Sequence, residues 1–291
     1  MKSSSCMLCS TSPADFLCRK EAVDVLRCPV CGLVFTAEMQ EPAEMEGHYS
    51  MEYFDPYVKT RSVHDRKRFR ARLKEIRKLH FPGTLLDVGC GAGFFLNIAR
   101  EGGHHVSGVE LSGWAAAAAR ENFGLRVFNG QLKEAGFSPE SFDVITLWHI
   151  LEHVADPRDL LSHVHGILKE DGILAVEVPN IGSIAARIAG KHWELLAPRE
   201  HFYYFNPQTL LRLLRLVGFI PLRQQSYFWT TPEMVLHSRV GGSPLLTKPL
   251  LRRFPLLLHP FSLLRFAVLP CLLIGDILTV YAAKAPNGFH P

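Results

Sequence analysis

The stretch Leu85-Leu86-Asp87-Val88-Gly89-Cys90-Gly91-Ala92-Gly93-Phe94-Phe95-Leu96 constrains this chain more than any other. A short apolar run meets an acid, Asp87. Three glycines at alternate positions follow, and then a second apolar run of helical type. Glycine adopts positive φ without a steric penalty and lets another group approach the backbone closely. The pattern predicts a strand, a tight turn and a helix, with the turn at the carboxyl end of a parallel sheet. In open α/β sheets that edge binds ligands. A purely structural turn is the plainer reading, but it does not call for three spaced glycines beside an acid.

Glycine spacing narrows the ligand. A dinucleotide turn needs Gly-x-Gly-x-x-Gly. Here Gly89, Gly91 and Gly93 alternate, and Phe94 stands where the last dinucleotide glycine would be. Asp87-x-Gly89-x-Gly91-x-Gly93 instead resembles the first motif of class I S-adenosylmethionine-dependent methyltransferases. Glu110 ends the next apolar run, 17 residues beyond Gly93. A carboxylate there can accept hydrogen bonds from both ribose hydroxyls; taken alone it is equally a solvated strand end. Further parts follow in order. Ser141–Val154 resembles the fourth-strand motif of the same superfamily, and Leu168–Asn180 its fifth strand after an Asp-Gly turn. Pro198–Asn206 and Leu213–Phe219 resemble a subgroup holding ubiquinone-type O-methyltransferases and sugar methyltransferases.

The resemblance covers about residues 80–230. It implies an α/β fold, a Rossmann-like doubly wound seven-stranded sheet closed by a carboxy-terminal antiparallel hairpin. It also implies S-adenosyl-L-methionine as cofactor, held by Asp87, Gly89, Gly91, Gly93, Glu110, Leu111 and Trp148. Asp87 would orient the turn and the cofactor's amino group, directly or through water. Many relatives place an acid before the fourth strand to hold the adenine amine. This chain has Phe128-Asn129-Gly130-Gln131, so Asn129 or Gln131 is the expected acceptor.

At the amino terminus, Cys6-x-x-Cys9 and Cys28-x-x-Cys31 are separated by 18 residues. This is the spacing of a four-thiolate zinc ribbon, with Gly32 permitting the second turn. Four thiolates close the shell, so the expected role is structural. Ala14–Leu17 and Ala22–Leu26 pair as short strands between them. Such a module has little core, and metal supplies much of its folding energy. A redox dithiol or four unligated thiols are the alternatives. Cys18 lies off both turns, and Cys90 is a small residue inside the glycine loop. Seven cysteines, an odd number, with no apolar signal segment at the start point to a reducing cytoplasm.

The remaining chain divides by composition. The expected units are a ribbon at 1–45, a bridge at 46–80, the cofactor core at 81–233, an apolar basic segment at 234–275 and a last strand and tail at 276–291. Residues 59–80 hold ten Lys/Arg against two acids, with Phe69, Leu73, Ile76 and Leu79 at helical spacing. This predicts an amphipathic helix whose cationic face is either solvated or meets phosphate. Tyr49, Tyr53, Phe54 and Tyr57 form an aromatic cluster for a lid or an interdomain contact. Strands are predicted near 84–88, 105–110, 125–128, 142–148, 173–178, 221–228 and 277–283. Asp156 with Pro157 and Asp159 marks a helix start.

Methyl transfer needs an acceptor aligned with the donor, exclusion of water and, often, a base. His149 lies at the end of the fourth strand, facing the crevice. Glu152 and His153 are expected to begin a helix. The pair Glu200-His201 precedes Phe-Tyr-Tyr-Phe, a wall suited to a ring. Glu-His-Phe also resembles the acid/base pair of zinc-ribbon sugar C-methyltransferases, although Pro198 replaces their tyrosine. The expected base is His201, oriented by Glu200 or His149.

Residues 234–275 contain no acid and many leucines, with Lys248, Arg252, Arg253 and Arg265. Five prolines interrupt them, and the longest uncharged run, 254–264, is too short to span a bilayer. The segment suits a membrane interface on the cytoplasmic side or an internal helical insertion. The net charge of +4 is mild and by itself demands no polyanion. The leading expectation is O- or C-methylation of a small molecule: a sugar, a nucleotide sugar or a lipid-linked glycan. RNA methylation, docked by ribbon and basic helix, is the second expectation. A non-enzymatic cofactor-binding scaffold is the third.

Overall fold

Strands and helices alternate through the middle of the chain in the order the apolar periodicity predicts. The structure, a computed structural model, describes residues 5–38, 66–229 and 273–285. The aromatic cluster at 49–57 and the apolar residues 234–272 lie outside the described residues.

Three short strands open the chain: β1 (Asp15–Lys20), β2 (Val23–Arg27) and β3 (Val34–Thr36). They pair antiparallel in sequence. Glu21 and Ala22 turn the first hairpin with positive φ. Residues 66–76 form α1, which buries Leu73 and Ile76 and packs Phe69 beside them. Its cations do not make one solvated stripe. Arg72 is buried, and Arg77 donates to the Gly102 carbonyl.

The core follows as β4 (Thr84–Val88), α2 (Phe94–Glu101), β5 (His105–Glu110), α3 (Gly113–Phe123), β6 (Val127–Asn129), β7 (Phe142–Trp148), α4 (Pro157–Ile167) and β8 (Leu168–Pro179). Then come α5 (Ile184–Ala189), β9 (Tyr203–Tyr204), α6 (Pro207–Leu216), β10 (Phe219–Tyr227) and β11 (Ile277–Lys284). Seven strands form one sheet in the order β10-β11-β8-β7-β4-β5-β6. The pairs among β4–β8 are parallel, whereas β11 is antiparallel to both β8 and β10. This is the doubly wound sheet with a terminal antiparallel pair that the sequence predicts.

Parallel strands are covered on both faces and therefore read as apolar runs. Leu85, Leu86, Val144, Ile145, Leu147, Leu174 and Val176 are fully buried, each worth roughly 1.5–3 kcal/mol of burial. The chain leaves β4 toward β5 and β6, then returns to build β7 and β8 on the other side. A crevice opens at that reversal, above the ends of β4 and β7.

Two local expectations change. Glu152 and His153 do not begin a helix. They lie in a turn after β7, where His149 has φ 59 and reverses the chain. The helix starts four residues later, capped by Asp156, whose carboxylate accepts from the Arg158 and Asp159 amides at 3.0 and 2.9 Å. The ribbon's sheet is not confined to the amino-terminal residues either. β9, from the core half of the chain, adds a fourth strand beside β3.

Candidate active site and thiolate cluster

The crevice is a cavity of about 830 Å³, within the range of small-ligand pockets. One end is the glycine loop. Gly89, Gly91 and Gly93 all have positive φ, at 72, 52 and 80. Gly89 and Gly91 line the cavity. Gly93 is placed differently: it caps α2, and a Cβ there would stand 2.6 Å from Leu125 and 2.9 Å from Ala119. Its role is to let α2 approach α3.

Glu110 is held by the loop it faces. One carboxylate oxygen accepts from the Gly91 amide at 2.8 Å, the other from the Ser112 amide at 2.8 Å. Lone pairs remain for two hydroxyls. Burial pushes its carboxyl up, and the amides of Ser112 and Gly91 oppose that shift. Asp87 is buried and accepts from the Thr146 hydroxyl at 2.6 Å. Burial raises it to about 7, against the pull of Thr146 and Arg72. Leu111, Gln131 and Trp148 line the cavity. Asn129 is not among the lining residues: its amide donates to the carbonyls of Glu110 and Leu111, both at 2.9 Å, and braces the turn into α3. Of the two adenine candidates, only Gln131 faces the ligand space.

The other end gathers histidines around an acid. Glu152 is fully buried, and burial raises its carboxyl. His149 places Nδ1 3.2 Å from Glu152 and Nε2 3.1 Å from Glu177. One donor atom from each of Glu152, His153 and His201 lies within 4.8 Å of the other two. His153 Nδ1 is 2.9 Å from the Glu200 carbonyl, and His201 Nδ1 is 3.0 Å from the Leu195 carbonyl. A carbonyl only accepts, so in both rings Nδ1 carries the proton and neutral Nε2 keeps its lone pair. Burial holds His153 down at about 4 and also lowers His201. Both rings are neutral at pH 7.

The expected pairing of Glu200 with His201 is not what the geometry shows. The Glu200 side chain is exposed, and the residue reaches the cluster through its carbonyl to His153. The carboxylate among the histidines is Glu152. Its spacing in His149-x-x-Glu152-His153, directly past a strand end, was the available signal.

A second network escaped the sequence reading. Glu177, on β8, accepts from Nε and one Nη of the Arg72 guanidinium of α1, from the Tyr227 hydroxyl at 2.8 Å and from the Thr279 hydroxyl at 2.9 Å. Arg72 also stands over the Trp148 ring, 4.7 Å from its centroid. A forked guanidinium suits this buried carboxylate. An acid inside the apolar run Ile173–Val178 was the clue, because buried acids need partners.

The four cysteines of the ribbon meet. Cys6 and Cys31 are 3.4 Å apart at sulfur, as are Cys9 and Cys28, and all four sulfurs lie within 4.8 Å of one another. A tetrahedral Zn–S₄ centre with bonds of about 2.3 Å spaces its sulfurs by about 3.8 Å, so the donor set fits. Cys18, on β1, is apart from them.

A family model described as a methyltransferase domain matches residues 61–224. The ubiquinone biosynthesis O-methyltransferase of Actinobacillus pleuropneumoniae is 34% identical over 104 residues, 32% of this chain and 44% of that protein. The like-named protein of Thiobacillus denitrificans is 29% identical over 178 residues, 57% of this chain and 77% of that protein. The chain spans under half the length of the first of these relatives. The solved 1,6-didemethyltoxoflavin-N1-methyltransferase of Burkholderia thailandensis, with bound 1,6-didemethyltoxoflavin and S-adenosylhomocysteine, superposes with a TM-score of 0.54 at 18% identity. That superposition covers 94% of this chain and 100% of that one and shows a shared fold.

Proposed function

Because this chain belongs to the methyltransferase-domain family, we propose that it transfers a methyl group from S-adenosylmethionine to a phenolic hydroxyl of a small molecule. The observation that carries this reading is one cavity with two chemically distinct ends. The glycine loop and Glu110 stand at one, and a neutral histidine with a free Nε2 lone pair stands at the other.

At the first end, Glu110 would accept from the ribose hydroxyls, Leu111 and Gln131 would hold the adenine, and Asp87 would meet the ammonium of the amino-acid end. Bound there, the cofactor supplies a methyl group already activated on a sulfonium. The protein aligns the acceptor, excludes water with Trp148, Leu195 and Phe202, and removes one proton. His201 is the base. Leu195 fixes its tautomer, and Glu152 stabilises the imidazolium formed when the proton arrives.

Base strength points to the acceptor. Burial makes His201 a weaker base than a free histidine. It suits a phenol, with a pKa near that of tyrosine at about 10, better than the less acidic hydroxyl of a sugar. The relatives are named for O-methylation in ubiquinone biosynthesis, and their names do not mention sugars or glycans. RNA docking loses part of its surface, since Arg68 and Arg72 of the basic helix line the cavity. We also infer that Cys6, Cys9, Cys28 and Cys31 hold a structural zinc ion. Among the described residues no helix is long and apolar enough to cross a membrane. Peripheral attachment therefore rests on 234–272, and liposome co-sedimentation of a 240–272 deletion tests it.

His201→Ala tests the base. With labelled S-adenosylmethionine and a panel of phenols and catechols, turnover falls by about 10²–10⁴-fold. Cofactor affinity is expected to stay within about twofold, because the cofactor is assigned to the glycine loop and Glu110 and not to His201. Unchanged turnover removes His201 from the mechanism.

A further inference from the structure

The ribbon and the histidine cluster share a strand. β3 lies antiparallel to β9, with Val34 opposite Tyr204 and Phe35 opposite Tyr203. The Thr36 amide donates to the Phe202 carbonyl at 2.9 Å. On the other side, the amides of Phe202 and Tyr203 donate to the Glu152 carbonyl at 2.7 and 3.3 Å. The Tyr203 hydroxyl reaches the Ala155 carbonyl at 3.0 Å. Residues 202–204 are thus gripped between the ribbon's last strand and the turn that carries Glu152 and His153. His201 is the residue immediately before that grip.

Packing repeats the pattern. Cys6, Cys28, Leu33 and Phe35 are buried in one cluster with Leu151, Phe202 and Tyr203. Val25 and Val34 join Trp193, Leu196 and Tyr204 in another. The Lys20 ammonium donates to the Trp193 carbonyl at 3.0 Å. The stretch leading into His201 has little regular structure of its own: one 3₁₀ turn, Gly190–His192, then turns. A two-residue strand cannot order itself. A ribbon of this size cannot do so without its metal. Cys90 of the glycine loop belongs to a different apolar cluster, which contains no ribbon residue.

Resting on the zinc reading of the four cysteines, we propose that the thiolate centre is a positioning element of the methyl-transfer site. It orders β3, β3 holds β9, and β9 sets His201 and His153 against Glu152. Metal occupancy then governs the base and leaves cofactor binding unaffected.

The test uses the full chain in three forms: as isolated with zinc, stripped with a chelator, and Thr36→Pro, which removes the amide that donates to Phe202 but none of the cysteines. Four quantities are measured. They are zinc per chain, S-adenosylhomocysteine affinity by calorimetry, hydrogen exchange of the amides at 202–204, and the imidazole ¹⁵N signals of His201 and His153. The stripped protein exchanges those amides about 100-fold faster, a loosening of local structure, and its histidine signals shift. Its S-adenosylhomocysteine affinity stays within about twofold. Thr36→Pro keeps its zinc and reproduces the histidine shift. Zinc present with exchange and signals unchanged on stripping overturns the coupling and leaves the zinc reading intact. A native protein that binds no zinc overturns both. Loss of S-adenosylhomocysteine binding on stripping also overturns the coupling, because the effect is then on the whole fold.

Discussion

Asp87 shows how much a single residue carries. In the sequence it is only the acid before a glycine turn; in the fold it is buried and raised to about 7. A folded pKa above the unfolded one means that the folded state binds the extra proton. The stability this contributes is present below the unfolded carboxylate range and lost as pH rises toward 7. Cofactor binding runs the other way, because an ammonium partner needs the carboxylate. Calorimetry with S-adenosylhomocysteine is therefore expected to show affinity rising up to about tenfold between pH 6 and 8. Asp87→Asn flattens that profile; a wild-type profile already flat would remove the ammonium contact from the account. The residue's identity was legible from its motif, but its pKa was not. Burial and the Thr146 hydroxyl arise from β7, 59 residues away in sequence.

Among the elements, the glycine turn and the turn after β7 differ in legibility. All three glycines were legible as a motif, yet Gly93 serves packing of α2 on α3 where the motif implied a ligand contact. Gly93→Ala combines a left-handed φ with the Leu125 and Ala119 collision. It is expected to cost about 2–4 kcal/mol, seen as a lower urea midpoint. Unchanged stability contradicts the packing role. After β7, the sequence suggested a helix where a turn forms, because periodicity says nothing about the positive φ of His149. The turn buries His153, held down at about 4. A depressed histidine is neutral in the fold and charged in the unfolded chain. Its contribution is present above the unfolded pKa near 6.5 and lost as pH falls toward 4. His153→Gln is expected to remove part of the acid loss over that window, up to about 3 kcal/mol. Denaturant titrations at pH 7 and pH 4.5 measure it, and equal acid losses in both proteins contradict it.

At the scale of the whole molecule, the seven-stranded sheet was legible because each parallel strand is an apolar run between helix signals. The second sheet was not. β9 is only two residues long, and its partner β3 lies far back in the ribbon. No local pattern announces such a pairing. The same holds for the Arg72–Glu177 pair, which ties the bridge helix to β8 across 105 residues. Arg72 lines the cavity, and so does Phe202, the residue directly before β9. On the proposed function, amino-terminal elements complete the acceptor side of the cofactor-binding sheet.

On the proposed function, the glycine loop and Glu110 form the nucleoside site for S-adenosylmethionine. Calorimetric titration of the wild-type chain and Glu110→Ala with S-adenosylhomocysteine tests this most directly. The predicted result is one site per chain in the wild type and an affinity lower by about 10–100-fold in the variant, the loss of a charge-assisted hydrogen-bond pair. No binding to the folded wild type, or equal affinity in the two proteins, would contradict it.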